Sequence, residues 1–458
     1  MQTLAQLTSG ELKGTKRLTL AENLNVFPEA IFSLAETLEV LDLSDNLLTE
    51  LPSDFARLQQ LKLLFLTNNQ FEQIPAAIAA CPRLEMISFK SNKLKAVAAG
   101  TLPRQTRWLI LTDNQIESLP EDMGSLHRLQ KLALAGNKLS ALPVSMANCS
   151  NLELARLSAN NFSQLPDWLF QLPKLAWLAL DGNPLSREGV STAISSEPPV
   201  QQMQSVALTA IELGQVIGQG ASGVIYSGKW LKQPESLYGS SRNIAVKLFK
   251  GEVTSDGYPG DELTCCLQAG KHHNLIKVVA QINQAEQLGL VMELIPSSFS
   301  NLGLPPSLDT CTRDTFVKGE ELGLPQVLSV LTQMADTMTH LHRNGVSHGD
   351  VYAHNTMINH QGSMLFGDFG ASSNLNKLPE LQKEAMESVE IRAFACLIED
   401  LVENRLAQQD DQYHLTAELK LLSQDCLQTD LSLRPRFSDI FASLNALQNK
   451  LTATVVSD

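Results

Sequence analysis

The chain has no window of about 18 uninterrupted apolar residues, the length needed to span a bilayer, and its opening MQTLAQLTSGELKGTKRLTL offers no apolar signal core. Neither a membrane span nor a membrane-surface partner is expected. Positive charge is in deficit: 35 Lys and Arg face 49 Asp and Glu, for a net charge of -14. The deficit is concentrated in one half, since residues 1–200 carry 17 basic and 20 acidic side chains and residues 201–458 carry 18 and 29. Such a surface repels phosphate backbones and anionic lipid, so nucleic acid is not an expected partner, and a peptide partner would be basic. Cysteine is scarce and unpatterned. Seven thiols at 81, 149, 265, 266, 311, 396 and 426 form an odd set without metal-like spacing, and the adjacent pair cannot easily bridge itself. Reduced thiols in the cytoplasm are expected. With 43% apolar residues and only 20 prolines among 458 residues, the chain is neither fibrous nor disordered, and it is too long for a single core.

What the first half does have is a period. LEVLDLSDNLLTELP at 38–52 recurs as LKLLFLTNNQFEQIP from 61 and LQKLALAGNKLSALP from 129. Asparagines fall at 23, 46, 69, 92, 114, 137, 160 and 183, at intervals of 23, 23, 23, 22, 23, 23 and 23 residues. The spacing matches the LxxLxLxxN unit of the leucine-rich repeat. Leucines such as Leu38, Leu41 and Leu43 would point inward from a short strand and stack on the next unit, because one repeat alone has no core. The asparagines would form an internal ladder satisfying backbone groups of adjacent turns. Leu-Pro pairs beginning at 51, 119, 142 and 165 mark where each unit leaves its strand.

Residues between the inward leucines should alternate onto the concave face. That stripe reads Val40, Leu63, Phe65, Met86, Trp108, Ile110, Leu154 and Trp177. A solvated face would be mostly polar here, so a protein ligand is expected on Phe65, Met86, Trp108, Ile110 and Trp177, or else the chain's own second half.

The period stops after Asn183, and the small, polar stretch VSTAISSEPPVQQMQSVALTA at 190–210 reads as a linker or cap. Then ELGQVIGQGASGVIYSGKW sets strand-like runs on both sides of Gly218, Gly220 and Gly223. A GxGxxG string also suits a dinucleotide fold, but there a helix follows; Val224-Ile225-Tyr226 favours strand, loop and strand instead. NIAVKLFK places Lys247 after Ile244-Ala245-Val246. SHGDVYAHN carries Asp350 and Asn355, and LFGDFGAS carries Asp368, with steps of five and thirteen residues between the three.

From about 211 to 449 the chain resembles the protein kinase family. The resemblance implies an α+β bilobal kinase fold beside the α/β leucine-rich-repeat solenoid, with domains at 1–190 and 211–449 and a linker at 191–210. It implies that Lys247 holds the α- and β-phosphates of ATP, paired with Glu262 on the following helix. It implies too that Gly218, Gly220, Gly223, Ile225, Ala245, Met292, Glu293 and Ile295 cradle the nucleotide, Met292 as gatekeeper and Glu293 to Ile295 as hinge. Asn355 and Asp368 would ligate Mg²⁺ through hard oxygen atoms, and Asp350 would take the acceptor's proton. His348 would orient the loop. In DCLQTDLSLRPRFSDIFASL, Arg434 would pair with the glutamate of Pro379-Glu380, and Glu390 stands where the family usually has aspartate.

The departures are specific. Gly349 replaces the arginine that commonly precedes the catalytic aspartate, the non-RD pattern. Tyr352 stands where serine/threonine kinases usually have lysine. Few residues separate Asp368 from Pro379-Glu380, and among residues 371–378 only Ser372 and Ser373 could accept phosphate. The expected activity is ATP-dependent phosphorylation of protein serine or threonine. The HGDxxxxN string leaves open a small-molecule kinase of the aminoglycoside or choline type, and the repeats leave open a scaffold with a nucleotide-binding pseudokinase.

Overall fold

The computed structural model describes residues 2–187, 203–220, 222–250, 253, 254, 256–284, 287–407 and 413–457. Residues 191–202 of the expected linker lie outside them. The chain divides into two compact units, Met1–Leu175 with Asn183–Leu185, and Ala176–Gly182 with Ser186–Asp458. The division therefore falls inside the eighth repeat.

The first unit is built from seven three-residue strands: β1 (Arg17–Thr19), β2 (Val40–Asp42), β3 (Leu63–Phe65), β4 (Met86–Ser88), β5 (Trp108–Ile110), β6 (Lys131–Ala133) and β7 (Leu154–Arg156). Neighbours pair parallel and in register. At the centre of successive strands Leu18, Leu41, Leu64, Ile87, Leu109 and Leu132 are buried in one stack. The helical turn α1 (Leu4–Thr8) precedes the first strand; a repeat of 23 residues must reverse between strands, and it does so with short 3₁₀ turns and the helical turn α2 (Asp167–Phe170), while α3 (Pro184–Arg187) follows the last repeat.

The asparagine ladder forms as expected. Asn114 is typical: its Nδ2 donates to Phe89 O at 2.9 Å, Leu111 O at 3.0 Å and Thr112 O at 3.2 Å, while its Oδ1 accepts from Leu94 N at 3.0 Å. One rung differs. Asn23 is exposed, with φ at 55°, and the first ladder side chain is Asn46, which reaches back to Leu20 O at 2.8 Å. The position before each ladder asparagine is left-handed, at Asp45, Asn68, Ser91, Asp113, Gly136 and Ala159. The first repeat puts its asparagine in that turn instead.

The apolar stripe is only partly exposed. Phe65, Trp108 and Ile110 are half-buried, but Met86 is 4% exposed. Its register neighbours Leu63 and Trp108 flank it on both sides, and the side chains on either hand cover it. The Lys131 ammonium lies over the Trp108 ring, 4.3 Å from its centroid. Trp177, in β8 (Trp177–Ala179), is 1% exposed inside the second unit. Met86 is thus not the surface contact the stripe suggested, and Trp177 is covered by residues of the chain's second half, the alternative expected for this face.

The second unit opens on an antiparallel sheet in the order β12-β13-β11-β10-β9: β9 (Ile211–Gln219), β10 (Gly223–Trp230), β11 (Asn243–Phe249), β12 (Val278–Gln284) and β13 (Gln287–Glu293). Its edge extends upstream of residue 211, because Val206 N–H donates to Gln281 O at 2.9 Å and the Val206 side chain joins the sheet's core. Helix α4 (Pro259–Ala269) starts with proline, carries Asp261 and Glu262 in its first turn, and stops at Gly270 with φ at 71°. A helical region follows: α5 (Leu324–Arg343), α6 (Glu380–Asn404), α7 (Tyr413–Cys426) and α8 (Phe437–Ser457). Small strand pairs sit before and among these helices: β14 (Phe299–Asn301), β15 (Val346–Ser347), β16 (Thr356–Asn359), β17 (Met364–Phe366) and β18 (Ser373–Asn374).

Candidate active site

The glycine-rich string is a β9–β10 hairpin, which removes the dinucleotide-fold reading. Its glycines differ in what they require. A Cβ on Gly223 would lie 2.6 Å from Leu248 O, so this position needs glycine for close strand packing, whereas one on Gly220 would meet nothing within 4 Å. Gly220 N–H donates across the hairpin to Gly223 O at 3.0 Å. Residues directly opposite in a sheet share a face. The register sets Gly218 opposite Ile225, Ile225 opposite Lys247, and Ala245 opposite Met292. Ala245 and Lys247 alternate onto one side of β11, so all five share the face that carries Lys247. Glu293 ends β13 with its N–H bonded to Lys277 O at 2.9 Å and its carboxylate on the Lys277 ammonium; Ile295 follows outside the strand.

Lys247 is the charge centre of the site. Its Nζ is 2.5 Å from Glu262 Oε1, whose side chain is 4% exposed, and 3.3 Å from Asp368 Oδ1. Burial works against the ammonium, but Asp368 and Glu262 outweigh it and hold the lysine's pKa above its usual value. Around Asp368, burial works to raise the carboxyl and Lys247 overrides it, so Asp368 titrates below the ordinary aspartate range. The Asp368 side chain is 54% exposed, and its backbone is left-handed at φ 64°. A strained, non-glycine residue presenting an ionised carboxylate to open space is characteristic of a site that holds something.

Hairpin topology brings the other candidates to the same place. Thr356 pairs with Phe366, so Asn355 just before β16 and Asp368 just after β17 emerge at one end of that hairpin. Asn355 Nδ2 donates to Asp350 O at 3.1 Å, leaving Oδ1 as the atom a cation would use. Asp350 N–H points at His348 Nδ1 at 3.3 Å. His348 is fully buried, stacked on Phe366 with centroids 4.0 Å apart, and its Nε2 lies 3.0 Å from Gly367 O. It ties the Asp350 loop to the Asp368 strand, the orienting position expected of it.

Gly349 explains the missing arginine. It sits at φ 74°, and a Cβ there would lie 2.3 Å from Ala371 O, so no side chain fits. Its N–H donates to Glu390 Oε1 at 2.7 Å, and Glu390 Oε2 contacts His342 Nε2 at 2.5 Å. Burial works against the imidazolium of His342, but Glu387 and Glu390 outweigh it and hold its pKa up at about 9.

One expected pair is absent. Arg434 donates to Ser388 O at 2.6 Å and Gln428 O at 2.8 Å, while Glu380 is largely exposed at the first turn of α6 and its ammonium neighbour is Lys383 at 4.0 Å. Because α6 begins directly at Glu380, no separate loop exists to carry that glutamate back to Arg434. Sequence reading also missed the role of Ser373: both Ser372 and Ser373 are buried, with Ser372 Oγ donating to Phe369 O at 2.6 Å. Burial of a serine in so short a segment leaves no periodic or motif signal.

Residues 211–415 match the family model described as protein tyrosine and serine/threonine kinase, and residues 36–94 and 127–185 match that of the leucine-rich repeat. Among curated proteins, the chain is 26% identical over 190 residues to a probable serine/threonine-protein kinase of Dictyostelium discoideum, covering 40% of this chain and 10% of that one. It is 22% identical over 193 residues to fibroblast growth factor receptor 1 of Xenopus laevis, covering 41% and 24%. It is 24% identical over 193 residues to a mitogen-activated protein kinase kinase kinase of Arabidopsis thaliana, covering 41% and 27%. The chain therefore spans roughly a tenth to a quarter of these relatives' lengths. A solved leucine-rich-repeat protein of Leptospira interrogans aligns at 27% identity and TM-score 0.33, over 38% of this chain and 50% of that one. The chain joins leucine-rich repeats to a domain of the protein kinase family.

Proposed function

We propose that the protein is an ATP-dependent protein kinase that transfers the γ-phosphoryl group of ATP to serine or threonine hydroxyls of a protein. The observation that carries this reading is the Lys247–Glu262 contact at 2.5 Å with Asp368 at 3.3 Å from the same ammonium. That trio is the arrangement needed to fix polyphosphate against a sheet. The named serine/threonine kinases among its relatives favour that acceptor class.

Phosphoryl transfer asks chiefly for positioning and charge neutralisation. Lys247 would hold the α- and β-phosphates, kept cationic by Glu262. Gly218, Ile225, Ala245 and Met292 would line the nucleotide face of the sheet, Gly220 and Gly223 would cover the phosphates, and Glu293 and Ile295 would present backbone groups to adenine. Asp350 would accept the acceptor hydroxyl's proton, its loop held by Asn355, His348 and Gly349. The oxygen donors of Asp368 and Asn355 suit Mg²⁺, which when bound would neutralise charge between the phosphates.

Among the described residues no helix is long and apolar enough to cross a membrane, and all seven cysteines are free thiols. These support a reducing cytoplasmic setting. The half-buried Phe65, Trp108 and Ile110 remain the face on which the repeats would take a protein ligand.

Incubating the purified protein with Mg-ATP and a cell extract, then mapping phosphosites by mass spectrometry, tests the reading. Phosphate on protein serine or threonine is expected. Label confined to small molecules, or nucleotide binding without any transfer, would refute it.

A further inference from the structure

The heptapeptide Ala176–Gly182 is part of the eighth repeat by sequence and part of the second compact unit by packing. All seven of its residues are buried. It touches three pieces that a kinase must keep aligned. On the Asp350 loop, the Trp177 ring lies flat on Tyr352, with centroids 4.6 Å apart and planes 5° apart, and Trp177 Nε1 donates to Val351 O at 3.3 Å. Leu178 O lies 3.1 Å from the place a Gly349 side chain would occupy. On the strand after Asp368, Leu180 N–H donates to Ser373 Oγ at 3.0 Å. On α4, the Cys265 thiol donates to Asp181 Oδ2 at 3.3 Å, three residues beyond Glu262.

In kinases with an arginine before the catalytic aspartate, a phosphate on the activation segment draws such pieces together. Here that arginine is replaced by a glycine that admits no side chain. The two serines that could accept phosphate are buried in hydrogen bonds. Yet the Lys247–Glu262–Asp368 contacts are made. Something other than a phosphate holds α4, the Asp350 loop and the Ser373 strand together; Gln268 of α4 reaches Asn374 Oδ1 at 3.3 Å, and Ala176–Gly182 is a segment that contacts all three pieces.

We propose that Ala176–Gly182 is a built-in activator, doing by permanent packing what a phosphorylated activation segment does elsewhere. Trp177 and Asp181 act as positioning residues for the catalytic loop and α4. The heptapeptide is then part of the enzyme itself. This rests on the kinase reading and adds a determinant of its rate.

The test uses the full chain and three variants: Trp177→Ala, Trp177→Phe, which keeps a stacking ring but loses the N–H, and Asp181→Ala. Phosphotransfer gives kcat and the KM for ATP, and hydrogen exchange reports the amides of 349–355 and 372–375. Trp177→Ala is expected to lower kcat about 10- to 100-fold, leave the KM for ATP within about twofold, and speed exchange in both segments. Trp177→Phe should fall between it and the wild type, and it carries the test if the alanine variant does not fold. Unchanged kcat and exchange would overturn the proposal. So would a raised kcat, which would make the segment an inhibitory cover. If the wild type transfers no phosphate to protein, the kinase reading fails, and the exchange rates alone then decide whether the segment holds the loop.

Discussion

The two units achieve order in opposite ways. In the repeats, the same buried contact recurs every 22 or 23 residues, so Asn46, Asn69, Asn92, Asn114, Asn137 and Asn160 each satisfy the same kinds of backbone group. In the kinase unit every polar contact is made once: Lys247 with Glu262, Gly349 with Glu390, His348 with Gly367 O. Redundancy makes a scaffold, in which one lost rung is a local event. Single-copy contacts make a site, in which one lost partner disables the whole. The comparison predicts where damage should spread and where it should stay confined.

The largest effect is expected at Asp350. Asp350→Asn should cut turnover by about 10²- to 10⁴-fold while leaving nucleotide affinity intact, checked by steady-state kinetics beside nucleotide titration. Next comes Gly349→Ala, which forces a Cβ against Ala371 O at a left-handed φ. A loss of about 3 kcal/mol of stability is expected in the kinase unit, read from a lowered denaturant midpoint, with activity lost in step. A variant that folds and works normally would show that the loop can yield.

Breaking a rung makes the contrast. Asn114→Ala leaves Leu94 N–H and three carbonyls without their partner. It should cost about 2 kcal/mol, with faster hydrogen exchange restricted to the repeats on either side and phosphotransfer per folded molecule unchanged.

His342 adds a pH dependence that only the single-copy region should show. Its folded pKa, about 9, lies above the ordinary histidine value of about 6.5. The stabilisation is therefore fully present below pH about 6.5 and is lost as pH rises through about 9. It amounts to about 3 kcal/mol. Melting of the kinase unit followed from pH 6 to 10 should show the loss, and His342→Gln should flatten it. The smallest effect is expected at Ala159, which holds φ at 54° where other repeats have glycine, aspartate, asparagine or serine. Ala159→Gly should stabilise the repeats by about 0.5–1 kcal/mol, read as a raised melting temperature.

Much of this was legible in the sequence because the physics behind it is local or periodic. The 23-residue spacing foretold the stacked leucines and the ladder. The steps from Asp350 to Asn355 to Asp368 marked the three as one motif set, and the β16–β17 hairpin brings Asn355 and Asp368 to one end. Glu262 reaches Lys247 because the α4 register, bounded by Pro259 and Gly270, turns it toward β11. Illegible were the contacts that depend on which surfaces meet. Trp177 and Met86 read as outward residues by alternation, and alternation cannot say what covers them. Arg434 read as Glu380's partner until the start of α6 at Glu380 removed the loop that pairing needs.

The sequence by itself determined that leucine-rich repeats precede a protein kinase domain and which residues stand at its motif positions, because strand periodicity and motif spacing are written along the chain. Only the tertiary structure decided that Gly349 has no room for a side chain, that Ser372 and Ser373 are buried, and that Ala176–Gly182 packs with α4 and the Asp350 loop. Those depend on close packing between segments up to 193 residues apart, and packing of that kind leaves no pattern in the order of residues.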